Sequence, residues 1–158
     1  MNLVDELLGL VGDLEAEKLD YALCGGLALA AHGHARFTKD IDLLVPEAQL
    51  AKVLGVARRR GFTLEGGRMT LCSGTEHERT LCRVSKAQGA NVITLDLLLV
   101  GPAPDAAWDG RVCVPWRGRG LWLVSRRGLI HMKRAAGRPQ DLLDIQTLEQ
   151  KAEEEPGG

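Results

Sequence analysis

Leu3, Leu7, Leu10, Val11 and Leu14 recur at the three-and-four spacing of a helix, so the pattern predicts an amphipathic helix over residues 2–18. "YALCGG" reads as a short strand running into two glycines, and "LALAAHG" as a short, nearly all-apolar helix closed by Gly33. After the polar loop "HARFTK", "DIDLLV" is an apolar strand stopped by Pro46, and "EAQLAKVLGVARRRG" a helix that ends at Gly61. "FTLEGGRMTLCSG" has two extended pieces about a Gly-Gly pair and predicts a hairpin turning there, followed by "TEHERT" as a polar hairpin loop. "RTLCRVSKAQGANVITLDLLLV" predicts two strands around a loop carrying Gly89 and Asn91. "GPAPDAAWDG" reads as a turn-rich loop, and "RVCVPW" and "LWLV" as short extended pieces. Ser125 is placed to cap a helix through "RRGLIHMKRAAG", and Pro139 opens a last helix, "PQDLLDIQTLEQ". This mixture predicts one α/β or α+β domain over 1–150, with 151–158 as a disordered tail.

Composition narrows the picture. A chain of 158 residues fits one domain, given the usual ~100–200 residues per domain. Aromatics are only 4 % against 45 % apolar residues, so the core must be built from Leu, Val and Ala. A net charge of −1 argues against a protein coated with basic charge for duplex DNA. The charge is unevenly spread, however. Residues 111–140 hold eight Arg or Lys and no acid, whereas the first twenty and the last eighteen hold six acids and one lysine each. That asymmetry points to a local anion site, a basic wall, inside a nearly neutral protein. Of the four cysteines, Cys24, Cys82 and Cys113 sit between apolar neighbours, which predicts buried free thiols in a reducing compartment. The start is acidic where a signal peptide is basic, and no apolar run approaches ~18 residues. A cytoplasmic protein with no membrane contact is the expectation.

The candidate chemistry lies in three carboxylates. Asp40 and Asp42 are two apart on a strand, so they project to one face while Ile41 and Leu43 take the other. Two carboxylates that close repel, unless a divalent cation such as Mg²⁺ sits between them. Alternatively, Asp40 caps the strand entry and Asp42 faces solvent. Asp96 stands alone in "VITLDLLLV", where burying an unpaired charge is costly. If the two strands are neighbours, all three aspartates share a face, as two-metal phosphoryl or nucleotidyl transfer requires. Gly25 and Gly26, between a strand and a helix, let backbone N–H groups approach a phosphate, or simply make a tight turn.

Together, a strand, Gly25-Gly26, "RFTKDID" and a later strand-borne Asp resemble the polymerase-β-type nucleotidyltransferases. The "R-x-T-x-D-I-D" form looks most like their minimal, AbiEii-like branch in abortive-infection and toxin–antitoxin systems. "LIHMKRAAGRPQDLLDIQTL" is similar to that group's helical motif, with Gln140 where the family often has Lys. The resemblance implies an α+β fold, a mixed sheet of four to five strands with helices mainly on one side. It implies transfer of a nucleoside monophosphate from an NTP to a hydroxyl on tRNA, protein or a small molecule, with Mg²⁺ or Mn²⁺. Asp40, Asp42 and Asp96 would bind metal and carry catalysis. Gly25, Gly26, Arg36, Thr38 and Lys133 would hold the nucleotide, with Arg138, Asp141 and Asp144 supporting Lys133. An antitoxin or other partner chain is implied as well. The alternative is a catalytically silent nucleotide-binding or protein-interaction module of the same fold.

Overall fold

The computed structural model describes residues 1–35 and 37–154. Its order is α1 (Leu3–Ala16), β1 (Ala22–Cys24), α2 (Gly25–Ala31), β2 (Asp40–Pro46), a 3-10 turn (Glu47–Gln49) leading into α3 (Leu50–Arg59), β3 (Leu64–Leu71), β4 (Arg79–Gln88) and β5 (Asn91–Val100). There follow α4 (Ala106–Asp109), β6 (Val112–Trp116), β7 (Arg119–Leu123), α5 (Arg126–Ala136) and α6 (Pro139–Glu154). The tail expected from 151 lies partly on α6 and partly outside the described residues.

The periodic apolar positions do what their spacing predicts. Leu7, Leu10, Val11 and Leu14 of α1 and Val53, Val56 and Ala57 of α3 are buried in one core with Ile41, Leu43, Leu44 and Val45 of β2. Asn2 caps α1 by accepting from the Asp5 backbone N–H, and Ser125 caps α5 by accepting from that of Gly128. Gly137 closes α5 in the left-handed conformation (φ 65°), which costs glycine nothing and lets Pro139 start the next helix after a sharp bend.

The seven strands form one mixed sheet in the order β3-β4-β5-β2-β1-β7-β6. β2 runs parallel to β5 and β1 parallel to β7, while the other neighbours are antiparallel. The sheet thus exceeds the four to five strands expected, because β6 and β7 pair as a hairpin and extend it beyond β1. The expected turn at Gly66-Gly67 is also corrected. β3 runs straight through both glycines with a β-bulge between Glu65 and Gly67, and the chain reverses at 72–78 instead. A second correction concerns Cys113: it is exposed on β6, at the sheet's edge, whereas Cys24 and Cys82 are buried as expected.

Candidate active site

One line of residues crosses the middle of the sheet. Register pairs Gly67 with Arg83, Arg83 with Asp96, Asp96 with Asp42, and Asp42 with Cys24, so the row spans β3, β4, β5, β2 and β1. Asp42 and Asp96 are therefore side by side on neighbouring parallel strands. Just past Cys24 the chain turns into α2 with Gly25 at φ +69°. A Cβ on Gly25 would collide with Asp42 Oδ2 and stand 2.8 Å from its Cγ. Only glycine lets the turn lie against the carboxylate. Gly26 is buried, and a Cβ there would meet Thr38 Cβ at 3.0 Å, which places Thr38 against the same turn.

This row opens on a cleft of about 850 Å³ lined by Gly25, Asp42, Asp96, Arg83, Lys133 and Arg138, among others. Asp40 begins β2 opposite Thr94, is half-buried, and is not among the lining residues described. It acts on the site through its charge. Burial pushes the Asp42 carboxyl up to about 7, and the negative charges of Asp96 and then Asp40 push in the same direction. Asp96 is buried and is held by Arg83 as a fork: Nε donates to Oδ1 at 2.7 Å and Nη2 to Oδ2 at 2.9 Å. Among the described residues, no three His, Cys, Asp or Glu side chains are arranged to hold a metal ion. The donor chemistry nevertheless suits a hard cation: two carboxylates stand in register on neighbouring strands, and one of them is disfavoured as an anion chiefly by burial and then by its acidic neighbours.

Lys133 enters the cleft from α5 but already has partners. Its Nζ donates to Asp144 Oδ2 at 2.9 Å and lies 3.7 Å from Asp141 Oδ1, with all three residues buried. Gln140 donates its amide to Asp144 Oδ1 at 3.0 Å. Arg138 clamps Asp141 through Nε at 2.7 Å and its own backbone N–H at 3.1 Å. Burial opposes the ionised form of Asp141, but the Arg138 hydrogen bond and charge outweigh it and hold the carboxyl below its ordinary range. The supporting helix pair is thus present as a charge network.

The basic wall is only partly realised. Of the cations in 111–140, Lys133 and Arg138 line the cleft, whereas Arg119 reaches Glu15 and the Leu8 carbonyl on α1, and Arg111 stacks 3.9 Å over Trp108. Helix and strand directions scatter cations that are neighbours in sequence. Arg36 lies outside the described residues. Two cleft cations were not anticipated. Arg79 bonds the Leu99 carbonyl at 3.1 Å and Asp105 at 2.8 Å, and Arg83 grips Asp96. Period-two alternation along "RTLCRVS" would have put Arg79 and Arg83 on one face, but not on the aspartates' face without the register.

The sequence profile of the family described as "Nucleotidyl transferase AbiEii toxin, Type IV TA system" matches residues 9–86. Over those residues, just under half of its length, the chain is similar to nucleotidyltransferases of the AbiEii type. The AbiEii-type stretch contains the Gly25-Gly26 turn and both aspartates of β2; Asp96 and Lys133 lie beyond it. No curated protein sequence matches the chain. Solved structures with a similar fold include ANT(2″)-Ia in complex with adenylyl-2″-tobramycin, at 14 % identity and TM-score 0.61, over 94 % of this chain and 88 % of that one. TM1012 from Thermotoga maritima is 14 % identical with TM-score 0.58, over 96 % and 92 %. JHP933 from Helicobacter pylori is 20 % identical with TM-score 0.54, over 95 % and 66 %. At such identities the likeness shows the fold alone. No helix among the described residues is long and apolar enough to cross a membrane.

Proposed function

We propose that the protein transfers a nucleoside monophosphate from an NTP to a hydroxyl of RNA, protein or a small molecule, as the toxin of a toxin–antitoxin pair. The observation that carries this reading is the contact between the Gly25 turn and Asp42, with Asp96 in register beside it in one cleft. Backbone N–H groups at Gly25 and Gly26 would face the β and γ phosphates, with Thr38 packed against the same turn. Asp42 and Asp96, with Asp40 at the entry, would hold Mg²⁺ or Mn²⁺, which supplies charge neutralisation at the reacting phosphate. Lys133 would add positive charge from the opposite wall, shared with Asp144.

In the reaction, the acceptor oxygen bonds to the α phosphorus and the bond to the β-phosphate bridging oxygen breaks, releasing pyrophosphate. The hydroxyl proton passes to Asp96. Arg83 occupies one site on each Asp96 oxygen, and an ionised carboxylate has about four lone-pair sites in all, so acceptor capacity remains.

Incubation with each labelled NTP, Mg²⁺ or Mn²⁺, and total RNA or cell protein tests the reading. Label should move to one acceptor class, and Asp42→Ala should abolish the transfer. NTP binding with no transfer to RNA, protein or the chain itself would favour the silent module instead.

A further inference from the structure

We infer that Arg83 is a positioning residue of the nucleotidyl-transfer site, seated on Asp96 by the close approach that Gly66 allows in the edge strand. Three independent features converge on it. Arg83 and Asp96 are cross-strand partners joined by both nitrogens of the fork, a geometry that fixes the plane of the carboxylate as well as its charge. The β3 strand carries its bulge opposite this pair, between Glu65 and Gly67. A Cβ on Gly66 would stand 2.7 Å from Arg83 Cγ and 3.0 Å from both its Cβ and its Cδ. Those atoms are the root of the side chain, not its flexible end, so any larger residue at 66 displaces the whole arginine. Gly66 has no positive φ that would require glycine. The space it leaves is the reason for it.

A simple surface ion pair would need neither the bulge nor the missing side chain. Asp96 is also no surface carboxylate, with a side chain 6 % exposed, next in register to Asp42. Left without Arg83, its carboxylate could rotate away from the cleft. The role is therefore to hold Asp96 toward the reacting groups, and it acts through Asp96. The inference rests on the proposed transfer activity.

The test compares label transfer by the full chain and by Arg83→Gln, Arg83→Lys, Gly66→Ala, Gly66→Val and the double variant Gly66→Val/Arg83→Gln. Loss of an outer partner of a site carboxylate typically costs about 10–100-fold. Arg83→Gln should lower kcat by that factor with the KM for NTP changed less than about threefold, a split expected of an interaction felt mainly in the transition state. Arg83→Lys, which keeps the charge without the fork, should recover only part of it. Gly66→Val should reproduce the loss, and the double variant should be no worse than Arg83→Gln alone. Urea midpoints accompany each variant. β3 is exposed along its whole length, so the Gly66 variants should remain folded, and Gly66→Ala carries the test if Arg83→Gln does not. Full kcat in Gly66→Val, multiplicative losses in the double variant, or a loss expressed in KM would overturn the inference. A wild-type chain that transfers no label defeats the proposed function itself, and this inference with it; the two failures are thereby distinguished.

Discussion

Asp42 is the residue at which charge and fold conflict most. Its carboxyl sits at about 7 in the folded chain against an ordinary 3.8, so between those values the native state binds a proton that the unfolded state has released. The sign follows: stability falls as pH rises from about 4 towards 7, and the full cost is present above 7. Each pKa unit corresponds to about 1.4 kcal/mol, so the cost is a few kcal/mol. Asp42→Asn removes the charge at constant shape. In EDTA it should unfold at a higher urea concentration than wild type at pH 8, with the two curves converging near pH 4. Parallel curves across that range would show that Asp42 is not strained as an anion. The sequence already displayed this conflict, since alternation alone placed Asp40 and Asp42 on one face and a lone Asp in "VITLDLLLV" demanded a partner. It did not display the partner. Arg83 meets Asp96 through a strand register that no local pattern encodes, and Gly66-Gly67 resembled a turn because its real use, making room for an arginine root, is a tertiary contact.

At the level of elements, α5 and α6 are joined by a buried cation between buried anions. Lys133 lies between Asp141 and Asp144, and removing it leaves two carboxylates in a site built for a cation. Breaking a buried pair by deleting one partner costs about 3–5 kcal/mol, far more than the pair contributes relative to apolar residues. Lys133→Ala should therefore lose about that much stability in urea denaturation at pH 7. A loss below about 1 kcal/mol would mean that Lys133 is not the cation joining these helices. The measurement also decides how any activity loss is interpreted, because a lysine that supports the helix pair and lines the cleft cannot be assigned to phosphate binding from an inactive variant alone. The helical pattern, the Ser125 cap and the Pro139 start made both helices legible. The counter-charges were legible only as a motif, since i to i+11 contacts between two helices depend on the bend at Gly137.

For the whole molecule, the cleft lies between a central row of the sheet and the α5–α6 pair, so an occupant would touch both. A ligand bound only by the native state stabilises it by about 2.7 kcal/mol at a hundred times its Kd. Two contributions should appear here. On the proposed function, a nucleotide would bridge the Gly25 turn and the Lys133 side, and a divalent cation would relieve the mutual repulsion of Asp42, Asp96 and Asp40. Because Asp42 is fully ionised only above about 7, the cation's share should grow with pH. Thermal unfolding with ATP and Mg²⁺ should therefore show a larger increase in Tm at pH 8 than at pH 6, and Mg²⁺ alone should reproduce part of the difference. In Asp42→Asn the pH dependence should vanish while some nucleotide stabilisation remains. An equal increase at both pH values in wild type, unchanged in Asp42→Asn, would place the cation away from the aspartates and remove the electrostatic basis for the site.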